Sequence, residues 1–153
     1  MSTPTARLAE LGITLPAVAA PAGAYIPAKQ TGTLVFTAGQ VPFVDGKLAV
    51  TGKVGAEVDV DTAYQLARTC VLNALAAIDE LVGLDAVTGV VKVVGFVASA
   101  PGFTGQPGVI NGASDVLGEI FGDAGKHARS AVGVAELPIG APVEVELIVE
   151  VAG

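Results

Sequence analysis

The chain has 153 residues, of which 52% are hydrophobic and 15% charged, and its formal net charge is −7. This length suits one domain, residues 1–153, that buries a core without help from a metal or a disulfide. Nucleic-acid binding relies on clustered lysine and arginine, whereas 8 basic residues here face 15 acidic ones, so no nucleic-acid partner is expected. One cysteine and one histidine supply neither an intrachain disulfide nor a usual zinc site.

The hydropathy of the chain favours an oligomer, and its single cysteine favours a cytoplasmic location. Its mean hydropathy of +0.66 indicates more apolar surface than the interior of one small domain absorbs, and contacts between subunits are expected to bury the excess. The N-terminal residues lack the continuous apolar run of a signal peptide, and Asp85 and Lys92 interrupt the valine-rich run between residues 84 and 100. We therefore expect neither export nor a membrane span.

The first third of the chain predicts a short helix followed by extended segments. Pro4 follows two residues that can cap a helix, and Gly12 is a typical stop, so a helix is expected between them. Residues 15–27 are rich in proline and alanine and should be extended. Residues 33–37 (TLVFT) are typical of a strand, and a hairpin turn is expected at residues 45–46 (DG).

The middle of the chain predicts a helix, a strand and a second helix. Apolar residues recur at helical spacing up to residue 81, and Asp59 or Asp61 can cap the helix that carries them. Residues 87–99 are rich in valine and read as a central strand covered on both faces. A second helix is expected over residues 107–121.

The C-terminal segment predicts two neighbouring strands that carry one arginine and a row of glutamates. Residues 129–134 alternate so that Arg129 shares a face with Ala131, and residues 143–151 alternate so that Glu144 lies opposite a row of valines. The proline and glycine residues between them are expected to turn the chain back. A charged pair across the two strands then becomes possible. On pattern alone, we favour the interpretation that the glutamates form a solvated face and that the arginine is a surface residue.

The order of these elements is strands, helix, strand, helix, strands. Two helices packed on one face of a sheet form the simplest α+β architecture for that order.

Four short motifs near the C-terminus carry a family resemblance. Residues 128–130 (ARS), 132–134 (VGV), 137–138 (LP) and 143–146 (VEVE) resemble the C-terminal signature of the Rid family, the reactive intermediate deaminases or YjgF proteins. The resemblance covers nearly the whole chain after Tyr25. It implies a chorismate-mutase-like fold, a mixed six-stranded sheet with two helices on one face, here with a short N-terminal helix added. It also implies a homotrimer with active sites between subunits.

The resemblance assigns roles to six positions. Arg129 matches the arginine that binds the substrate carboxylate, and Glu144 matches the glutamate that positions the attacking water. Four further positions are implied to contact the substrate: Tyr25, Gly39, Asn111 and Ala131. Without the family, the tyrosine would be interpreted as packing, the glycine as a bulge and the asparagine as a local backbone hydrogen-bonder.

Three positions depart from the family pattern and indicate a divergent subgroup. Ala38 stands where a serine usually precedes the glycine, and Ala131 where a cysteine often follows the arginine by two. His127 replaces the proline that usually precedes Ala128 and Arg129. We interpret His127 as a surface or interface hydrogen-bonder rather than a catalytic group.

Three functions are consistent with these residues. The resemblance implies hydrolytic deamination of 2-enamine or 2-imino acids, of the 2-aminoacrylate type, to 2-ketoacids and ammonia, without a metal or organic cofactor. The alternative is a non-catalytic trimeric protein, either metabolite-binding or chaperone-like, that uses the same arginine cleft to hold a ketoacid or an amino acid. In either case the expected partner is a small imino or keto acid ligand. The third is the endoribonuclease or translation-inhibitor activity attached to the family's name, against which the acidic charge and the single histidine argue.

Overall fold

A computed structural model describes residues 2–21 and 23–153 of the chain. Within them lie three α-helices: α1 (Pro4–Glu10), α2 (Val60–Val82) and α3 (Gln106–Phe121). Five β-strands complete the regular structure: β1 (Ala28–Thr31), β2 (Leu34–Thr37), β3 (Val87–Ala98), β4 (Ala128–Val134) and β5 (Val143–Val151). The α+β fold class expected from the sequence is confirmed.

The strands form one mixed sheet in the order β1-β2-β5-β3-β4. Only β3 and β4 are parallel, and α3 makes the crossover that a parallel pair requires. The described residues give five strands rather than the six that the resemblance implied. Between β2 and α2 the chain joins the sheet only through isolated bridges, at Gln40 with Val145 and at Val54 with Ser99.

Local signals begin and end the helices where the sequence predicts. The side chain of Thr3 accepts a hydrogen bond from the backbone N–H of Ala6 at the start of α1, and Gly12 follows the helix with a φ of 69°. The carboxylate of Asp59 accepts from the backbone N–H of Thr62 and caps α2. These local signals fix both ends of α1 and the start of α2.

Helices α2 and α3 lie side by side on one face of the sheet. They approach so closely at Gly112 that a Cβ atom there would overlap the backbone carbonyl oxygen of Tyr64. Together with the valine-rich face of β5 they enclose the core, whose largest fully buried side chains include Leu75, Ile78, Leu84, Ile110, Leu117 and Leu147.

Among the described residues, no α-helix covers the opposite face of the sheet. The expectation that β3 is covered on both faces is therefore wrong for a single chain. Large apolar side chains remain exposed there, among them Phe36 at 40% and Val132 at 44%. Apolar side chains left exposed on this helix-free face are typical of a surface that contacts another molecule.

Candidate functional site

Arg129 lies on the edge strand β4 and points towards the helices. Its Nη1 atom donates hydrogen bonds to Oδ1 of Asn111, at 2.8 Å, and to Oγ of Ser114, at 3.2 Å. Both partners belong to α3 and are neutral. Of the ion pairs formed among the described residues, none involves Arg129. The guanidinium is therefore held in place while its charge stays available for an anion.

Sequence reasoning identified Asn111 and missed Ser114. The two residues are three positions apart on α3 and so share one face of the helix. That spacing is visible in the sequence. However, Ser114 becomes relevant only when α3 is known to lie over β4, which spacing alone does not reveal.

Glu144 lies on the helix-free face of the sheet, half-buried against the segment that follows β2. A Cβ atom added to Gly39 would come within 2.8 Å of the Cδ atom of Glu144, so the glycine lets the backbone rest directly on the carboxyl group. Burial raises the pKa of Glu144 above its ordinary value, and the nearby charge of Glu146 raises that pKa further. Both effects make Glu144 a stronger proton acceptor when it is ionised.

A cavity of about 300 Å³ opens beside Glu144, a volume at the lower end of the range typical of small-molecule pockets, roughly 300–1,000 Å³. Tyr25 and Gly39 line it together with Glu144. The rest of the wall is mainly apolar: Ala19, Ala20, Pro21, Pro27, Val41, Phe43, Pro138 and Ile139, with Gln40 as a further polar residue.

Arg129 and Glu144 of one chain do not face each other. Arg129 is in register with Val93, which is in register with Leu147, and all three side chains project to the face that the helices cover. Glu144 is three residues from Leu147 along β5 and therefore projects to the other face. The expectation that β4 and β5 are neighbouring strands is wrong, because β3 lies between them. The charged pair that such neighbours would have made possible does not form within one chain.

The chain resembles known proteins over almost its whole length. A family model described as "YjgF/chorismate mutase-like, putative endoribonuclease" matches residues 5–151. The chain belongs to this family. Protein TCP17 of Trypanosoma cruzi is 45% identical over 147 residues, which cover 95% of this chain and 92% of that protein.

Two solved structures illustrate the range of the YjgF-like relatives. The protein Atu1372 from Agrobacterium tumefaciens, of unknown function, superposes with a TM-score of 0.88 at 44% identity, covering 95% of this chain and 91% of that one. E. coli TdcF, solved with bound serine, superposes with a TM-score of 0.65 at 26% identity, covering 91% of this chain and 96% of that one. The fold expected from the resemblance is thus confirmed.

The six positions carried over from the family divide into two groups on this sheet. Arg129 lies beside Asn111, and Ala131 follows on the same face of β4. Tyr25, Gly39 and Glu144 surround the cavity on the other face.

Two further properties concern the described residues as a whole. No three or more histidine, cysteine, aspartate or glutamate side chains among them are grouped so that they could hold a metal ion. None of the helices in that part of the chain is long and apolar enough to cross a membrane.

Proposed function

We propose that this protein hydrolyses 2-imino acids to 2-ketoacids and ammonia in sites shared between subunits. The observation that carries the proposal is the separation of Arg129 and Glu144 on opposite faces of one sheet. Within one chain, the guanidinium has no acidic partner and the carboxylate lies in an apolar pocket. Each group alone is only part of an active site. Arg129 of one subunit, placed at the cavity of its neighbour, completes both.

The exposed apolar surface supports this assembly. Tyr25, Ile26 and Ile139 lie at or beside the cavity and are 50%, 58% and 65% exposed. They add to the apolar helix-free face, and a monomer would leave both in water. A closed homotrimer uses one heterologous contact three times, so each edge strand β4 meets the cavity of the next subunit.

The chemistry follows from the two charged groups. The planar guanidinium of Arg129 binds the carboxylate of the imino acid through two parallel hydrogen bonds. Glu144 takes a proton from a water molecule as the water oxygen bonds to the C=N carbon, and the imine nitrogen gains a proton. The carbinolamine that forms then loses ammonia as its C–N bond breaks and the ketone forms. An enamine substrate reaches the same intermediate after it tautomerises to the imine.

The raised pKa of Glu144 suits this role, because a general base works best when its pKa lies near the operating pH. The serine bound to TdcF supports a small amino-acid-like ligand for this fold. The apolar cavity wall of the present chain favours apolar substrate side chains instead of a hydroxymethyl group. The imine derived from 2-aminoacrylate, which carries a methyl group, belongs to this class.

The test measures ammonia and 2-ketoacid release from imino acids that an amino-acid oxidase generates in the assay. We expect the wild type to exceed the spontaneous rate, and Arg129→Ala and Glu144→Gln each to lose this acceleration. The two inactive variants are then unfolded, mixed in equal amounts and refolded together. Random mixing places an intact Arg129 beside an intact Glu144 at about one quarter of the interfaces of a cyclic trimer.

Recovery of about that fraction of activity supports the shared site, and each variant refolded alone is the control. No recovery, with mixed trimers present, would show that the two residues act within one chain. A wild type that binds ketoacids without accelerating hydrolysis would identify a binding protein instead. Salt-sensitive cleavage of RNA would favour the endoribonuclease activity, against which the net charge of −7 argues.

A further inference from the structure

A chain of hydrogen bonds leads from His127 to the guanidinium of Arg129. Nδ1 of His127 lies 2.6 Å from the carbonyl oxygen of Gly125, and its Nε2 lies 2.9 Å from Oγ of Ser114. The same Oγ accepts a hydrogen bond from Nη1 of Arg129. We propose that His127, acting through Ser114, is a positioning residue for Arg129. The expected effect of His127 on catalysis rests on the function proposed above. Its expected effect on the orientation of the Arg129 guanidinium does not.

The chemistry of the partners fixes the direction of each bond. A carbonyl oxygen can only accept, so Nδ1 of His127 carries a hydrogen and donates it to Gly125. In a neutral imidazole Nε2 is then a bare acceptor, which receives the hydroxyl hydrogen of Ser114. The lone pairs of that hydroxyl oxygen remain free to accept from Arg129. Every donor in the chain therefore has a matching acceptor.

The local fold brings these groups together. Gly125 is buried so close to α3 that a Cβ atom there would overlap the carbonyl oxygen of Leu117. This contact holds residues 125–127 against the helix, just before β4 begins. The imidazole of His127 can then reach Ser114. The proline that usually occupies this position in the Rid family has no side-chain donor or acceptor. The chain of hydrogen bonds through His127 therefore distinguishes this protein from that pattern.

The restraint determines which edge of the guanidinium is presented. Nη1 has two hydrogens, and Asn111 and Ser114 take both. Among the described residues these are the only hydrogen bonds that Arg129 side-chain atoms form. The edge formed by Nε and Nη2 thus stays available for bidentate binding of a carboxylate. Without His127 the Ser114 hydroxyl could turn away, and the guanidinium would rotate more freely.

The test compares His127→Ala, Ser114→Ala, the double variant and His127→Gln, in which a carboxamide oxygen can replace the Nε2 acceptor. We expect KM for imino acids to rise about 2- to 10-fold in both single alanine variants, the range for one lost hydrogen bond. The change in kcat should be smaller. The double variant should be no worse than Ser114→Ala, because the two residues act in series, and His127→Gln should recover most of the loss.

Asp115→Ala is the matched control. It removes the hydrogen bond that Asp115 accepts from the Tyr64 hydroxyl on the same helix and leaves the Arg129 network intact, so KM should not change. A readout independent of turnover is nitrogen-15 NMR of the Arg129 side chain. Separate Nη signals in the wild type should merge in His127→Ala and Ser114→Ala and stay separate in His127→Gln. Unchanged NMR signals and KM would overturn the proposal. A wild type without deaminase activity but with the expected NMR changes would refute only the proposed function.

Discussion

Gly39 and Glu144 are in such close contact that a single methyl group would separate them. The Cβ of an alanine at position 39 would lie 2.8 Å from Cδ and 2.9 Å from Oε1 of Glu144. We expect Gly39→Ala to displace the carboxylate and lower kcat/KM on the order of 100-fold, the effect of misplacing a catalytic group by about 1 Å. The urea midpoint should change little, because only a flexible side chain must move.

Gly108→Ala is the control for this substitution, since the nearest atom to its Cβ would be Cγ1 of Val60 at 3.9 Å. Its kcat/KM should match that of the wild type. Equal activity of Gly39→Ala and Gly108→Ala would remove Glu144 from the proposed mechanism.

The pH dependence of hydrolysis should reveal the interaction between Glu144 and Glu146. Burial first, and then the charge of Glu146, raise the pKa of Glu144, so activity should fall as the pH drops through this raised pKa and the base becomes protonated. Glu146→Gln removes one of these causes. The pKa of Glu144 then decreases, and the acid limb of kcat against pH should move to lower pH.

Glu150→Gln is the matched control for that shift. Glu150 lies on the same face of β5 but does not contribute to the raised pKa of Glu144. Its acid limb should coincide with that of the wild type. If the acid limb of kcat against pH moved equally in Glu146→Gln and Glu150→Gln, the shift would be a general effect of net charge.

The side chain at position 43 should influence substrate preference. Phe43 lines the cavity beside Glu144, and we expect Phe43→Ala to lower kcat/KM for the imino acid derived from leucine about 10-fold, within the range for lost contacts in an apolar pocket. The imino acid derived from alanine is too small to use this contact and should be hydrolysed as before. The measurement is kcat/KM for hydrolysis of a series of imino acids whose side chains increase in size.

Val44→Ala provides the comparison. Val44 is the adjacent residue and lines only the neighbouring cavity, with Leu72 and Asn73, whereas Phe43 lines both cavities. The dependence of kcat/KM on the substrate side chain should be the same in Val44→Ala as in the wild type. Should Phe43→Ala reduce all rates by one factor, Phe43 would support the fold and not the substrate.

Two glycines of α3 should respond to alanine in opposite directions. A Cβ at Gly112 would overlap the carbonyl oxygen of Tyr64, so α2 and α3 must move apart, and Gly112→Ala should lower the free energy of unfolding by about 1–3 kcal/mol. Gly118 has no neighbouring atom within 4 Å of such a Cβ, and Gly118→Ala should stabilise by about 0.5–1 kcal/mol through its helix propensity. Urea unfolding measures the free energy of unfolding of the two variants. Equal changes in both would contradict the close packing of α2 and α3.

Local features of the fold were predictable from the sequence. The sequence predicted Asp59 or Asp61 as the cap of α2, and the structure selects Asp59. The alternation in residues 143–151 predicted a strand, and the structure confirms the bounds of β5. The hairpin predicted near Asp45 also forms, with Val44 and Lys47 bridged across the turn. Each depends on capping, side-chain periodicity or turn chemistry, which act over a few residues.

The arrangement of the site was only partly predictable. Only the family resemblance could group Tyr25 and Gly39 with Glu144. Glu144 is more than 100 positions from the other two, and nothing in that spacing predicts that they line one cavity. The segment before β5 contains proline and glycine and is typical of a tight turn, and this led to the wrong expectation that β4 and β5 are neighbours. Strand order in a sheet depends on non-local pairing, and here β3 takes the place between the two strands.

The position of β5 has a consequence for biosynthesis. This strand follows all the others along the chain, yet it lies at the centre of the sheet and pairs with both β2 and β3. While a ribosome is still translating the residues that precede β5, the edges of β2 and β3 that β5 will join lack their partner. Such edges can pair with other chains. The nascent protein should therefore complete its core only after β5 has left the exit tunnel, and until then it is a natural client for chaperones that shield unpaired strands.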